Sequence, residues 1–198
     1  MNFNKKNIII FFTTFILAFV IFSNKESNQI YLKDVYSDYF QIGTIWHGSI
    51  MGNPQRSPNP NIRKEKKLTA KEFNVITAEN CMKPEFIQPK EGVFTFEESD
   101  KMIAFAQSNN MNVIGHTLIW HHMTPKWFFE NENGYPVSRE ILIQRLKSHI
   151  KTVMNRYKGK VHYWDVVNEV IQTKKNDDGS YDAFYRKTPW LEIIGPEY

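Results

Sequence analysis

The sequence predicts an α/β fold built on a parallel sheet, and three observations point there. Four short runs rich in β-branched and aromatic residues recur along the chain, at residues 40–46 (FQIGTIW), 73–78 (FNVITA), 111–120 (MNVIGHTLIW) and 161–167 (VHYWDVV). They are apolar on nearly every position rather than strictly alternating, the pattern of parallel strands covered on both faces. Segments with helical spacing of apolar residues lie between them, so the order reads β, α, β, α, β, α, β.

Each helical segment has its own warrant. Residues 61–72 are charged and helix-compatible, with Leu68 and Phe73 apolar. Residues 96–110 place Met102, Ile103, Phe105 and Ala106 on one side, and Thr95 with Glu98 three positions on forms a candidate capping box. Residues 138–157 carry Ile141, Leu142, Leu146, Ile150, Val153 and Met154 at helical spacing, with Gly159 just past the end. The closing Gly195-Pro196-Glu197-Tyr198 reads as the run-up to a further helix. Right-handed crossovers then give a parallel sheet with helices outside. Alternation alone leaves open an open sheet or half of a (β/α)8 barrel.

Composition removes several functional classes. The chain has 198 residues, 41% hydrophobic and 15% aromatic, which suits a globular protein of about one domain. Its formal charge of +4 includes Lys5, Lys6 and Lys25; without them 22 basic residues face 21 acidic ones. So balanced a chain has no electrostatic reason to seek nucleic acid or an acidic membrane. One cysteine, Cys81, excludes an intrachain disulfide, a zinc ribbon and a CxxC redox motif.

Residues 1–27 read as a signal peptide or an uncleaved membrane anchor. Lys5 and Lys6 precede a 15-residue apolar run from 8 to 22, interrupted by Thr13 and Thr14. That suits a leader and falls short of the roughly 20 residues that span a bilayer. Either reading puts residues 28–198 outside the cytoplasm, with membrane contact expected if the segment stays uncleaved.

Ligands of parallel α/β folds sit beyond the carboxyl ends of the strands. The second run ends in Glu79-Asn80, with Lys83 just beyond; the third carries His116 and ends in Trp120-His121-His122; the fourth ends in Asn168-Glu169. Each group has a bland reading: Asn80 or Asn168 as a helix cap or turn residue, Glu79 paired with Lys83, His116 and the tryptophans as core. The coincidence of three strand ends, all rich in groups that hydrogen-bond hydroxyls, favours a site. Metal is not expected, because His121 and His122 are adjacent and in an extended chain point to opposite faces. There is no HExxH, no Gly-rich phosphate loop and no G-x-S-x-G elbow.

These residues carry a family resemblance. Residues 77–85 (TAENCMKPE) resemble the ENxMKxE segment of the glycoside hydrolase family 10 xylanases, residues 115–121 (GHTLIWH) their HTLxWH segment, and residues 164–169 (WDVVNE) their acid/base segment. The tail, with Asp178-Gly179-Ser180-Tyr181, Pro189-Trp190 and Ile193-Ile194-Gly195, follows the same pattern, so the likeness runs from about residue 40 to 198.

The resemblance implies a (β/α)8 barrel and retaining endo-1,4-β-xylanase chemistry, without a cofactor. Glu169 would be the general acid/base, and Asn168 would hydrogen-bond the sugar 2-hydroxyl. Glu79, Asn80 and Lys83 would hold sugars on the non-reducing side, with His116 and Trp120 lining the cleavage subsite. Met123 stands where the family usually has a glutamine. The family's nucleophile is a glutamate ending the seventh strand, whereas 29 residues follow Glu169 here. The expectation is therefore about the first four βα units, a truncated or incomplete xylanase domain lacking its nucleophile half, with xylan or xylo-oligosaccharides as ligand. A non-catalytic xylan-binding half-barrel and an anchored interaction protein are the alternatives. Two open sheet edges would favour self-association.

Overall fold

The computed structural model describes residues 29–47 and 61–198. The chain divides into two compact units, residues 1–31 and 32–198, and the elements below belong to the second. The leader reading of residues 1–27 lies outside the described residues. Among those described, no helix is long and apolar enough to cross a membrane.

Four parallel strands form one sheet in the order β1 (Gly43–Trp46), β2 (Val75–Ala78), β3 (Asn112–Ile119) and β4 (Tyr163–Val167). A short helix α1 (Leu32–Val35) precedes β1, and α2 (Ile62–Glu72) leads into β2. The Leu32 backbone N–H donates to the Glu72 carboxylate at 2.8 Å, and Lys33 Nζ to the Ala70 carbonyl at 2.8 Å, tying α1 to the end of α2. The four expected strands and three expected helices are all present, each within three residues of its expected bounds.

Helix α4 (Glu97–Ser108), which follows the four-residue α3 (Pro84–Ile87), buries Ser99, Met102, Ile103 and Ala106. Its start departs from the expected capping box. Phe96 is the cap residue and no side chain caps the helix; the Thr95 hydroxyl instead donates to the Phe86 carbonyl. That contact ties the strand-like approach to α3, and three acidic residues in the first turn complement the helix dipole instead.

Helix α5 (Arg139–Tyr157) begins at Ser138, whose hydroxyl accepts from the Ile141 N–H at 3.4 Å. Past its end, Gly159 takes φ +72, the left-handed conformation that glycine adopts without a Cβ penalty. The buried face carries Leu142, His149, Val153 and Tyr157, while Ile141 and Met154 are exposed. Arg156 pairs with Asp100 on α4, and the Tyr157 hydroxyl donates to the same carboxylate at 3.1 Å. The guanidinium holds the Asp100 carboxyl below the usual range.

Two features follow β4 that periodicity did not place. An antiparallel hairpin, β5 (Ile171–Lys175) with β6 (Tyr181–Tyr185), forms a separate two-stranded sheet. Helix α6 (Pro189–Ile194) then precedes Gly195, so the helix expected from the closing residues ends where it was expected to begin. Proline at its first turn and the Thr188 hydroxyl accepting from the Leu191 N–H explain the start; Gly195 at φ +103 explains the stop.

The core lies between the sheet and α4 and α5, around Trp46, Ile76, Val113, Leu118 and Phe128. Strands β1 and β4 are the sheet's edges, and Ile45, Tyr163 and Val166 are each about half exposed.

His149 is a buried titratable group packed into this core. Its Nδ1 lies 2.9 Å from Gln88 Oε1, so the Nδ1–H donates; Nε2 is buried without a partner, between the Phe94 and Phe128 rings. Burial lowers its pKa to about 4. The unfolded chain therefore binds this proton first, and stability is present above pH ~6.5 and lost as pH falls toward 4. The loss attributable to His149 totals roughly 3 kcal/mol. Urea denaturation from pH 7.5 to 4.5 should show that decline, and His149→Leu should flatten it; an unchanged slope in the variant would assign the acid sensitivity elsewhere.

Candidate active site

The carboxyl ends of β2, β3 and β4 deliver side chains to one mouth because the strands are parallel neighbours in one sheet. Directly after β2, Glu79 and Asn80 leave the sheet, the Glu79 N–H donating to the Trp46 carbonyl at 3.3 Å. Glu79 Oε2 stands 3.5 Å from His47 Nε2, at the end of β1. Lys83 folds back: its backbone N–H donates to the Asn80 carbonyl and its Nζ to Asn80 Oδ1, both at 2.9 Å. The Lys83 Nζ also sits 4.5 Å from the centre of the Trp120 ring. Burial lowers the Lys83 pKa, while the Glu79 and Glu169 charges pull it back up. The lysine thus answers both carboxylates. The neighbouring Cys81 is a core thiol, pushed up to about 12 by burial.

On β3, Gly115 has a packing reason: a Cβ there would run into the Trp164 ring of β4. His116 Nδ1 lies 2.8 Å from Asp165 Oδ2, and the fully buried Thr117 hydroxyl donates to the Asp165 carbonyl at 2.7 Å. These contacts lock β3 to β4 where the pairing register shifts. Trp120 is fixed from behind, its carbonyl accepting from the Thr124 hydroxyl at 2.7 Å and from Trp190 Nε1 at 3.0 Å. Its own Nε1–H donates to Glu169 Oε2 at 3.2 Å.

Asn168 is half-buried at the end of β4, its N–H donating to the Ile119 carbonyl at 2.9 Å. Glu169 follows with φ +54, a left-handed conformation that costs a non-glycine residue roughly 1–2 kcal/mol. Arg186 Nε donates to the Glu169 carbonyl at 2.9 Å and helps hold that turn. The result is a carboxylate aimed at the Trp120 indole rather than along the strand.

The structure therefore brings Glu79, Asn80, Lys83, His116, Trp120 and Glu169 together, with Asn168 beside Glu169. It also adds groups that the strand-end reading missed. Asp165, His47, Trp190 and Arg186 each contact one of those residues, and two of them sit inside motifs already noticed: Asp165 two positions before the end of β4, and Trp190 in the tail. His121, already noted at the end of the third run, joins them beside Glu169. The expectation that His121 and His122 point apart fails, because the chain bends after Ile119 and Met123 takes φ +49. The two rings lie 4.2 Å apart. Neither His121 nitrogen has a hydrogen-bond partner, although Nε2 is 3.7 Å from Glu169 Oε2. Among the described residues, no group of three or more His, Cys, Asp or Glu is placed to hold a metal ion.

Comparison with known proteins puts a family behind this geometry. The model of glycosyl hydrolase family 10 matches residues 31–198. The exoglucanase XynX of Acetivibrio thermocellus is 43% identical over 175 residues, spanning 84% of this chain and 15% of that protein. Endo-1,4-beta-xylanase A of Thermotoga maritima is 42% identical over 171 residues, with the same coverage of 84% and 15%. The crystal structure of xylanase XynB from Paenibacillus barcinonensis, complexed with a conduramine derivative, superposes with a TM-score of 0.73 at 38% identity. That match covers 87% of this chain and 47% of XynB. The chain thus spans half or less of the length of each.

Burial lowers the His121 pKa, His122 and Arg186 lower it further, and Glu169 opposes them. Titration followed by NMR should find the His121 ring neutral below the ordinary histidine pKa. His122→Ala should raise that midpoint and Glu169→Gln should lower it; shifts of the opposite sign would contradict this electrostatic account.

Proposed function

The chain belongs to glycosyl hydrolase family 10, and we propose that its strand-end cluster binds and protonates β-1,4-linked xylan as part of an endo-1,4-xylanase site. The observation that carries the reading is the Trp120–Glu169 contact, which fixes the Glu169 carboxyl group in a mouth of amides, indoles and imidazoles that also holds Glu79, Lys83 and Asp165. A retaining glycosidase needs a carboxylic acid to protonate the leaving oxygen and a second carboxylate to attack the anomeric carbon. Glu169 takes the first role. The strained turn and the indole N–H hold its carboxyl in one orientation, so a proton carried there need not be repositioned.

Glu79, Asn80 and Lys83 bind sugar hydroxyls on the non-reducing side. Their fixed geometry, with Lys83 Nζ bonded to Asn80 and stacked on Trp120, offers donors and acceptors that lose little freedom when a sugar arrives. His116, held by Asp165, and Trp120 line the cleavage subsite, and Asn168 meets the 2-hydroxyl. Met123 leaves that rim apolar where the family places an amide. The attacking carboxylate belongs to the seventh strand of the barrel, beyond the four strands described here, so the reaction as a whole needs the remaining strands. Glu79 stays a binding group.

Three broader expectations join this proposal. Residues 1–27 act as a secretion leader or membrane anchor, which the apolar run at 8–22 supports and which places the domain outside the cytoplasm. The remaining 28–198 are the partial catalytic domain. The open β1 and β4 edges, with Ile45, Tyr163 and Val166 exposed beside them, favour self-association when nothing else pairs them.

Xylotriose added to the chain should perturb tryptophan fluorescence through Trp120, and Asn80→Ala should weaken that binding by about 0.5–1.5 kcal/mol or more, because Lys83 would lose its acceptor. An unaltered titration in the variant would remove Asn80 from the sugar-binding set.

A further inference from the structure

Strand β4 carries Asp165 and leads into Asn168 and Glu169, and among the described strands only β3 pairs with it. The bond that holds its start is not an ordinary rung of the ladder. The Val113 N–H of β3 donates to a side chain, Nδ1 of His162, at 3.0 Å, while the His162 N–H donates to the Val113 carbonyl at 2.9 Å. We propose that His162 is a positioning residue for β4, a clip that is closed while its imidazole is neutral and opens when the ring takes a second proton.

The local chain path makes the clip necessary. In a regular parallel ladder the Val113 N–H would reach the carbonyl two residues before His162, that of Lys160. Residues 158–160 are still in the turn that leaves α5, where the Lys160 and Val161 N–H groups both donate to the Tyr157 carbonyl, at 2.9 and 3.1 Å. The chain extends too late to offer the Lys160 carbonyl, and the first regular pair is Ile114 with Tyr163. The His162 imidazole fills the gap. Val113 is fully buried, so without the ring its N–H would be an orphaned donor of a kind that folded proteins rarely tolerate.

The same bond fixes the tautomer. A backbone N–H can only donate, so Nδ1 must hold a lone pair and the ring proton must sit on Nε2. A second proton, on Nδ1, would turn the acceptor into a donor aimed at a donor. His162 is exposed, so solvent can deliver that proton. No neighbouring anion favours the imidazolium. The ring lines a cavity of about 610 Å³ whose charged groups are the ammoniums of Lys151 and Lys158, on α5 and just past its end, with Tyr157 as the other titratable group. On the β3 side, residues 111–115 carry no charge. Lys160 is the nearest charge before His162 in the chain, and Asp165, the first carboxylate after it, is paired with His116. Protonation therefore costs the clip and gains no ion pair.

The opening is confined to the start of β4. The Asn168 N–H, bonded to the Ile119 carbonyl at 2.9 Å, holds the far end, and Asp165 is tied to β3 between the two. His149 differs in kind, because its buried ring links acid to the stability of the whole domain.

Nuclear magnetic resonance on the 198-residue chain tests the clip. At pH 7.5 the His162 ring should carry its proton on Nε2 and none on Nδ1. From pH 7.5 to 5 the hydrogen-exchange protection of the Val113 amide, relative to that of Ile76 in β2, should fall about tenfold in step with the ring's own titration. Taking the ratio to Ile76 removes any loss shared by the whole domain. His162→Asn, which offers an uncharged Oδ1, should make the ratio independent of pH, and His162→Phe should hold it low throughout. His149→Leu should leave the wild-type decline in place. A proton on Nδ1 at pH 7.5, or a wild-type ratio that does not change with pH, overturns the proposal. So does the same decline in His162→Asn, a high ratio in His162→Phe, or loss of the decline in His149→Leu.

Discussion

The hydrogen bond from the Trp120 indole to Glu169 is the contact on which the rest of the mouth depends. Trp120 can make it because its backbone carbonyl is held by Thr124 and by Trp190, the latter buried against Phe128 and Phe129. Lys83 then stacks on the indole from the β2 side and carries Asn80 with it. Glu169 can accept because its own backbone is forced into a left-handed turn that Arg186 supports. Removing the indole would unfasten three strand ends at once. A mouth of amides, indoles and imidazoles, in which the Lys83 ammonium answers the Glu79 and Glu169 carboxylates, is suited to an uncharged sugar chain, and the near balance of charge along the protein agrees with that.

Much of this was legible in the residues. Parallel strands declare themselves by β-branched runs without alternation, and each strand end then exposes whatever polar group follows, so Glu79, Asn80, His116, Trp120 and Glu169 could be placed from pattern alone. What could not be placed depends on local competition. Thr95 looks like a cap, yet its hydroxyl is taken by Phe86. His121 and His122 would diverge in an extended chain, but β3 ends at Ile119 and the backbone bends there. The hairpin after Glu169 is announced by Asp178-Gly179 between two β-prone stretches, a signal that the helix-strand rhythm of the preceding 130 residues obscured. His149 at an internal helix position reads as polar in sequence, and its burial depends on Gln88, 61 residues away.

The four strands are part of a (β/α)8 barrel, and that shapes their energetics. In a closed barrel no strand has a free edge, and inward side chains are packed in layers. Here β4 carries exposed Tyr163 and Val166, and β1 an exposed Ile45, at positions where closure would bury them. The hydrophobic reward of those residues is withheld until another strand pairs with each edge. The core between the sheet and its helices does not wait on that pairing: Ile76, Val113 and Leu118 are already buried.

The central claim, that Glu169 is positioned as the proton donor for xylan cleavage, is tested most directly by kinetics after joining this chain to the carboxyl-terminal half of a family 10 relative. Glu169→Ala should reduce turnover of unactivated xylan by about 10²–10⁴-fold, with a much smaller loss on an aryl xyloside whose leaving group is already acidic, since that bond needs little proton assistance. Equal losses on the two substrates, or near-full activity on xylan, would contradict the account.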